Sequence, residues 1–435
     1  MVRRLIAAGE RSARIVTLAK LATVGLSMIW GFAVTFVFVR AIPAADFRVF
    51  LLLVAFNNFT LSAEFGFTNV IYARMRRWWL AGRSEDGADR FRHEEVGVLF
   101  LFLGLLILGS TLLVGAGLLT GLIATSLPGI FLIFFAGSAL NILLLLAKRA
   151  LAALDRNLMW EVVDSARRVA GLGILLSILA GVDLMSAVII LLALNLAGAA
   201  AGIMMIHRAS GMNVRHWLSA RAGGGHIRRH YLHDIGASAA LTISEVAAYN
   251  GPYFVIAAVS KDATWLILFD FAFKMIRAVA TAIRATIEGA LPRLTKLWFA
   301  RDRAAFRAAL MRAGAVALGM ALLADILLLA MGQRLFDMLY HGRAQLEMSD
   351  LVLLCSTLVA LALMCTSVYV QGALGRFGEL LKQSLPFLIG SLLAAPIAFA
   401  ITGPRAAEAF MTLYALVFAG SAALHMLSLR RLRAR

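Results

Sequence analysis

The chain has 435 residues, 61% of them hydrophobic, with 42 Lys and Arg against 24 Asp and Glu. A mean hydropathy of +0.86 excludes an ordinary water-soluble globular domain: stretches such as 96–119 and 184–206 reach the roughly 20 apolar residues that cross a bilayer, too many to bury in a soluble core. The net charge of +18 would also fit nucleic-acid binding, but the basic residues sit in short loops beside apolar runs, where anionic lipid accounts for them, so no nucleic-acid partner is expected.

Taken in chain order, residues 1–15 read as an amphipathic lead-in, and no small-residue cleavage site closes the apolar run that follows, so the first helix is expected to be retained. Apolar runs between charged breaks predict about twelve spans, near 16–39, 47–73, 96–119, 123–147, 163–181, 184–206, 235–259, 263–290, 310–331, 351–373, 383–402 and 406–428. The longest mid-chain polar stretch includes the glycine run Gly223, Gly224 and Gly225, a composition that suits a flexible connector. These features predict an all-α polytopic membrane protein: a six-helix bundle over 1–207, a cytoplasmic linker over 208–234, and a second six-helix bundle over 235–435 around a central cavity. A weak internal repeat agrees: Ala153-Leu154-Asp155-Arg156 follows the fourth span and Ala373-Leu374-Gly375-Arg376 the tenth, and Asp46 precedes the second span as Asp262 precedes the eighth. Six spans per half make the repeats parallel.

Charge asymmetry sets the orientation. With both termini in the cytoplasm, 33 of the 42 Lys and Arg fall on that side, including those in 74–92, 148–168, 208–229 and 293–312. Only Arg40, Arg48, Lys261, Arg334, Arg343 and Arg405 fall outside, as the positive-inside rule requires. Cys355 and Cys365 are about 15 Å apart by helical rise, too far for a disulfide. His226, His230 and His233 lie in a run with Arg228 and Arg229 and read as a solvated cytoplasmic face, so no metal site is expected. No Walker-type loop points to ATP hydrolysis, and no cofactor is expected.

The remaining cations are Lys274, Arg277 and Arg284, on the eighth span with Asp270 and Glu288. At about 100° per residue all five fall within an arc of roughly 80°. A charged side chain at the bilayer centre costs at least about 2.5–3.5 kcal/mol, so such residues face a protein interior or a water-filled cavity, and three cations together point to an anionic ligand. Asp270 and Lys274 are four apart, as are Arg284 and Glu288, so part of the stripe also reads as same-helix ion pairing. Polar faces recur on three further spans: Lys20, Thr23, Ser27 and Trp30 on the first, Asn57, Thr60, Glu64 and Thr68 on the second, and Ser238, Thr242, Glu245 and Tyr249 on the seventh.

The segment 40–75, with Asp46-Phe47 before the second span and Glu64-Phe65-Gly66-Phe67 within it, resembles the early signature of polysaccharide-biosynthesis flippases. The stretch 289–302, "GALPRLTKLWFARD", is similar to that family's exit from the eighth helix, and the repeated Leu-x-Arg element is a third likeness. Asn250-Gly251-Pro252 departs from the family, many of whose members carry an acidic residue there; a bend at Pro252 is expected. The resemblance is to the oligosaccharide-lipid flippases of the multidrug/oligosaccharidyl-lipid/polysaccharide exporter superfamily. It implies a bacterial inner-membrane transporter, not an enzyme, that moves polyprenyl-(pyro)phosphate-linked oligosaccharide by alternating access, alongside a polysaccharide polymerase or export machinery. Lys274, Arg277 and Arg284, with Lys20, would hold the phosphates; Asn57, Asn58 and Tyr249 would bond sugar hydroxyls. Glu64, Glu245 and Asp270 would couple transport to H+ or Na+, or pair with cations. A multidrug exporter of the same superfamily and a membrane-embedded glycan polymerase or ligase are the alternatives.

Overall fold

A computed structural model of the chain describes residues 13–62, 75–76, 78–79, 91–230, 232–260, 262–374, 376–403 and 406–434. Glu64 lies outside the described residues, as do the side chains of Lys20 and Glu288. The helices divide into two compact units, Met1–Thr242 and Ile243–Arg435.

In the first unit, α1 (Ala13–Ala41) and α2 (Ala44–Ser62) precede α3 (His93–Leu119), α4 (Pro128–Ala153), α5 (Asn157–Ser177, extended by a 3-10 turn Ile178–Ala180) and α6 (Leu184–Ser210). Here α1 packs on α5, α2 and α3 on α4, and α4 and α5 on α6. The second unit holds α10 (Ala263–Phe299), α11 (Arg303–Tyr340), α12 (Met348–Ala373), α13 (Phe377–Thr402) and α14 (Ala406–Ala434), with α10, α11 and α14 packed on α12 and α13 on α14. Between them in sequence run two short helices, α7 (Val214–Leu218) and α8 (Ala220–His230), and then α9 (Leu232–Val259), which contains the division between units and carries Pro252 inside an uninterrupted helix.

Every expected span has its helix among the described residues, the second as far as Ser62. By length and composition, α3, α4, α6 and α11 to α14 each suffice to cross a membrane. Their outward faces carry exposed aliphatic side chains such as Leu105, Leu112, Leu323 and Ile326, as contact with hydrocarbon requires. The other five, α1, α2, α5, α9 and α10, are the helices that carry the polar stripes and the charged cluster described below.

Two expectations are corrected. Most described residues of the connector 208–234 are helical, so it is not an open Gly-rich linker, and α7 and α8 pack against α3. A Cβ on Gly223 would stand 2.7 Å from the Glu94 carbonyl oxygen and 2.7 Å from Val98, so glycine is needed there for close helix approach and not for flexibility. His226 is buried, not solvated: its Nε2 lies 3.3 Å from Glu95 Oε1, and Glu95 itself is fully buried.

The Asp46-Phe47 element has a structural role. Thr125 Oγ1, Ser126 Oγ and the Ser126 amide (2.9 Å) all donate to the Asp46 carboxylate, fixing the loop before α4 to the start of α2. Burial pushes that carboxyl up, but the three hydrogen bonds outweigh it and hold it below the usual carboxylate range. The four-residue repeat is matched in backbone bonds: the Leu154 amide donates to Ala150 and Arg156 to Leu151, and 220 residues on Leu374 donates to Val370 and Arg376 to Gln371. In each pair the bond that reaches back five residues is the 6→1 bond of a Schellman cap.

Gly223→Ala is expected to lose about 1–3 kcal/mol through overpacking against backbone, and to raise amide exchange in α8 selectively. Asp46→Asn is expected to cost about 1–3 kcal/mol near neutral pH. Because the folded carboxyl is depressed below its ordinary value near 3.9, its contribution is present above that value and lost as pH falls through the folded one. Thermal unfolding in detergent should therefore show the two proteins converging below about pH 4.

Candidate functional site

The site is built on α10, where the expected stripe separates into a buried half and a presented half. Asp270 is 1% exposed and accepts from three partners: Tyr253 of α9 at 2.7 Å, Tyr340 of α11 at 2.7 Å, and Lys274 one turn along. Both tyrosines are themselves buried, among Phe269, Phe271, Phe273 and Phe336. The carboxylate thus satisfies two hydroxyls and one ammonium in an apolar aromatic setting, and the ammonium is neutralised where it stands. Lys274 is therefore committed to an ion pair.

Arg277 and Arg284 are exposed, on the same side of α10. The Arg284 guanidinium lies 5.6 Å above the ring of Tyr369 on α12, a cation–π contact that orients the group. Glu245 on α9 is exposed, and Tyr249 one turn later is half-buried, its ring edge-on to Phe387 at 5.3 Å. The two arginines and the acid belong to the same unit, so charges of both signs are presented there.

In the first unit, Asn57 and Asn58 are half-buried on α2, and Asn57 Oδ1 has no hydrogen-bond partner among the described residues. A charged cluster lies midway along α5, near the start of the fifth expected span. Asp164, 3% exposed, accepts from Arg167 (Nε 3.1 Å, Nη2 2.7 Å) and from Arg168 (Nε 2.9 Å). Arg167 Nη1 also donates to Asn195 of α6, and Arg168 Nη1 donates to Ser27 of α1 at 2.9 Å. Gly198 of α6 gives Arg167 room, since a Cβ there would come within 2.7 Å of its Cδ. The signal was present in sequence as an acid followed by arginines three and four residues later, but the helix begins six residues earlier than its apolar run implied.

In the second unit a further buried network links α12, α13 and α14. Gln371 Nε2 donates to Ser367 at 2.7 Å and to Gln383 at 3.2 Å, and Ser428 donates to Gln371 at 3.1 Å. His425 Nδ1 lies 3.2 Å from Ser367. Its groups satisfy one another, which marks it as helix-packing glue.

No family model and no curated protein matches the sequence. Solved structures do match. A point mutant of the Vibrio cholerae MATE transporter VcmN aligns over 99% of this chain and 98% of its own, with TM-score 0.66 and 15% identity. The fold is that of the MATE transporters. An inward-facing multidrug resistance MATE family transporter of the MOP superfamily gives TM-score 0.70 at 12% identity, covering 96% of this chain and 98% of its own. A eukaryotic MATE transporter gives 0.64 at 14%, covering 95% and 94%. The MATE fold thus extends over nearly the whole chain, including all twelve helices expected to span the membrane, while identities this low carry no site residue across.

Asp270→Ala should leave Lys274 buried and unpaired and lower stability by roughly 3–5 kcal/mol. Tyr340→Phe, which removes one hydroxyl and keeps the ring, should cost about 1–2 kcal/mol. Thermal unfolding of the purified protein in detergent ranks the two.

Proposed function

We propose that this protein is an alternating-access transporter that moves a polyprenyl-(pyro)phosphate-linked oligosaccharide across the bacterial inner membrane for cell-surface polysaccharide synthesis. The observation that carries this reading is that two guanidinium groups, Arg277 and Arg284, are exposed on one side of α10, next to the buried Asp270–Lys274 pair. A lipid-linked oligosaccharide combines an apolar tail, an anionic phosphate and a hydrated glycan. Guanidinium groups replace water around phosphate oxygens through paired donors, which suits Arg277 and Arg284 better than a lysine ammonium. Asn57, Asn58 and Tyr249 then serve the sugar hydroxyls, with Lys20 at the entry. The polysaccharide polymerase or export machinery acts on the delivered product. Glu245, with Glu64, is the proposed acceptor of a coupling H+ or Na+.

A multidrug exporter is the second reading, favoured by the exposed Glu245, which suits a cationic drug, and by the multidrug resistance described for one similar structure. The two differ in the sign of the group that must be kept. Deleting the gene should make lipid-linked oligosaccharide accumulate in the inner leaflet. Complementation by Arg277→Ala/Arg284→Ala should fall by about 100-fold or more, the loss of two charge-assisted contacts. Full complementation by that variant, or an unchanged leaflet distribution on deletion, would reject the proposal.

A further inference from the structure

The polar cluster on α5 has more positive charge than its partners neutralise. Asp164 answers two arginines, and Glu161, the other acid of α5, is committed to Lys148 at 2.9 Å. One positive charge is therefore left over among the described residues of the cluster, midway along a helix whose next dozen residues, 169–180, are almost wholly apolar. Retaining an unneutralised guanidinium there is costly unless the group faces water or a ligand.

Hydrogen bonding shows which arginine carries the surplus. Arg167 is used up: Nε and Nη2 go to Asp164 and Nη1 to Asn195, and its side chain is 10% exposed. Arg168 spends only Nε on Asp164 and Nη1 on Ser27; Nη2 makes no hydrogen bond among the described residues, and the side chain is 21% exposed. Ser27 accepts from Arg168 and so keeps its own hydroxyl proton to donate, and it too is exposed. A guanidinium edge and a hydroxyl proton therefore converge beside the polar face of α1, held in place by Asp164.

We propose that Arg168 and Ser27 form an anion-binding site in the first unit, selective for a phosphate-type oxyanion. Arg168 contacts the anion through Nη2, Ser27 donates its hydroxyl, and Asp164 and Arg167 are positioning residues that fix the guanidinium plane. A tetrahedral oxyanion offers two adjacent acceptors to such a pair, as guanidinium recognition of phosphate requires. Its residues all belong to the first unit, whereas Arg277 and Arg284 belong to the second.

The test uses the full chain purified in uncharged dodecyl maltoside and equilibrium binding of radiolabelled inorganic pyrophosphate. Arg168→Gln should weaken one class of sites by about 10- to 100-fold and leave a second class, which Arg277→Gln/Arg284→Gln removes. Asp164→Asn keeps both arginines but removes the competing charge, so it should lower thermal stability while tightening pyrophosphate binding. That opposite movement is not expected of a purely structural ion pair. The proposal is overturned if monodisperse Arg168→Gln binds as wild type does. It is equally overturned if Asp164→Asn loses stability with affinity unchanged. Loss of pyrophosphate binding in Arg277→Gln/Arg284→Gln alone would leave the proposed transport site standing and reject this one; loss in Arg168→Gln alone would do the reverse.

Discussion

A charge carried into hydrocarbon costs several kcal/mol unless it is paired, hydrated or used, and that constraint organises both units. Where the charge is buried in a pair, it acts as a joint between helices. Asp270 ties α9, α10 and α11 through two tyrosine hydroxyls and one ammonium; Asp164 ties α5 to α1 and α6 through the two arginines it orients. Breaking either joint exposes a buried charge, so each specifies one packing of its helices. Where the charge reaches the surface of its unit, as at Arg168, Arg277 and Arg284, a ligand can reach it too.

The apolar helices follow from the opposite condition. α3, α6 and α11 carry large aliphatic side chains on exposed faces, which lipid can cover without cost. The polar stripes are instead concentrated on α1, α2, α5, α9 and α10. Small residues permit the close approaches the polar joints need: Gly198 admits Arg167, and Gly223 lets α8 lie against α3.

Much of this was legible in sequence because the bilayer imposes length and charge rules that act locally. The helix positions followed from apolar runs and the α10 stripe from helical period, and the Asp270–Lys274 pair followed from a spacing of four. Tyr340 was not legible as a partner of Asp270, since it lies 70 residues away and only the packing of α11 on α10 brings it there. The start of α5 at Asn157 was not legible, because the amphipathic first half of the helix looks like loop when judged by hydropathy. The glycine run of α8 misled for a related reason: composition reports conformational freedom, whereas Gly223 is kept for the space it leaves. His226 was read as solvated from its basic neighbours, but its own face of α8 turns toward Glu95.

If α10 divides its charges between a structural pair and a ligand-binding pair, the two pairs must differ in what their loss does to transport. Flipping of a fluorescent polyprenyl-pyrophosphate oligosaccharide in proteoliposomes tests this directly, comparing Asp270→Asn/Lys274→Met with Arg277→Gln/Arg284→Gln in folded, monodisperse protein. We predict that the first variant retains flipping to within about tenfold and that the second loses it by about 100-fold or more. Retention of flipping by the arginine variant, or its abolition by the neutralised pair, would contradict the division.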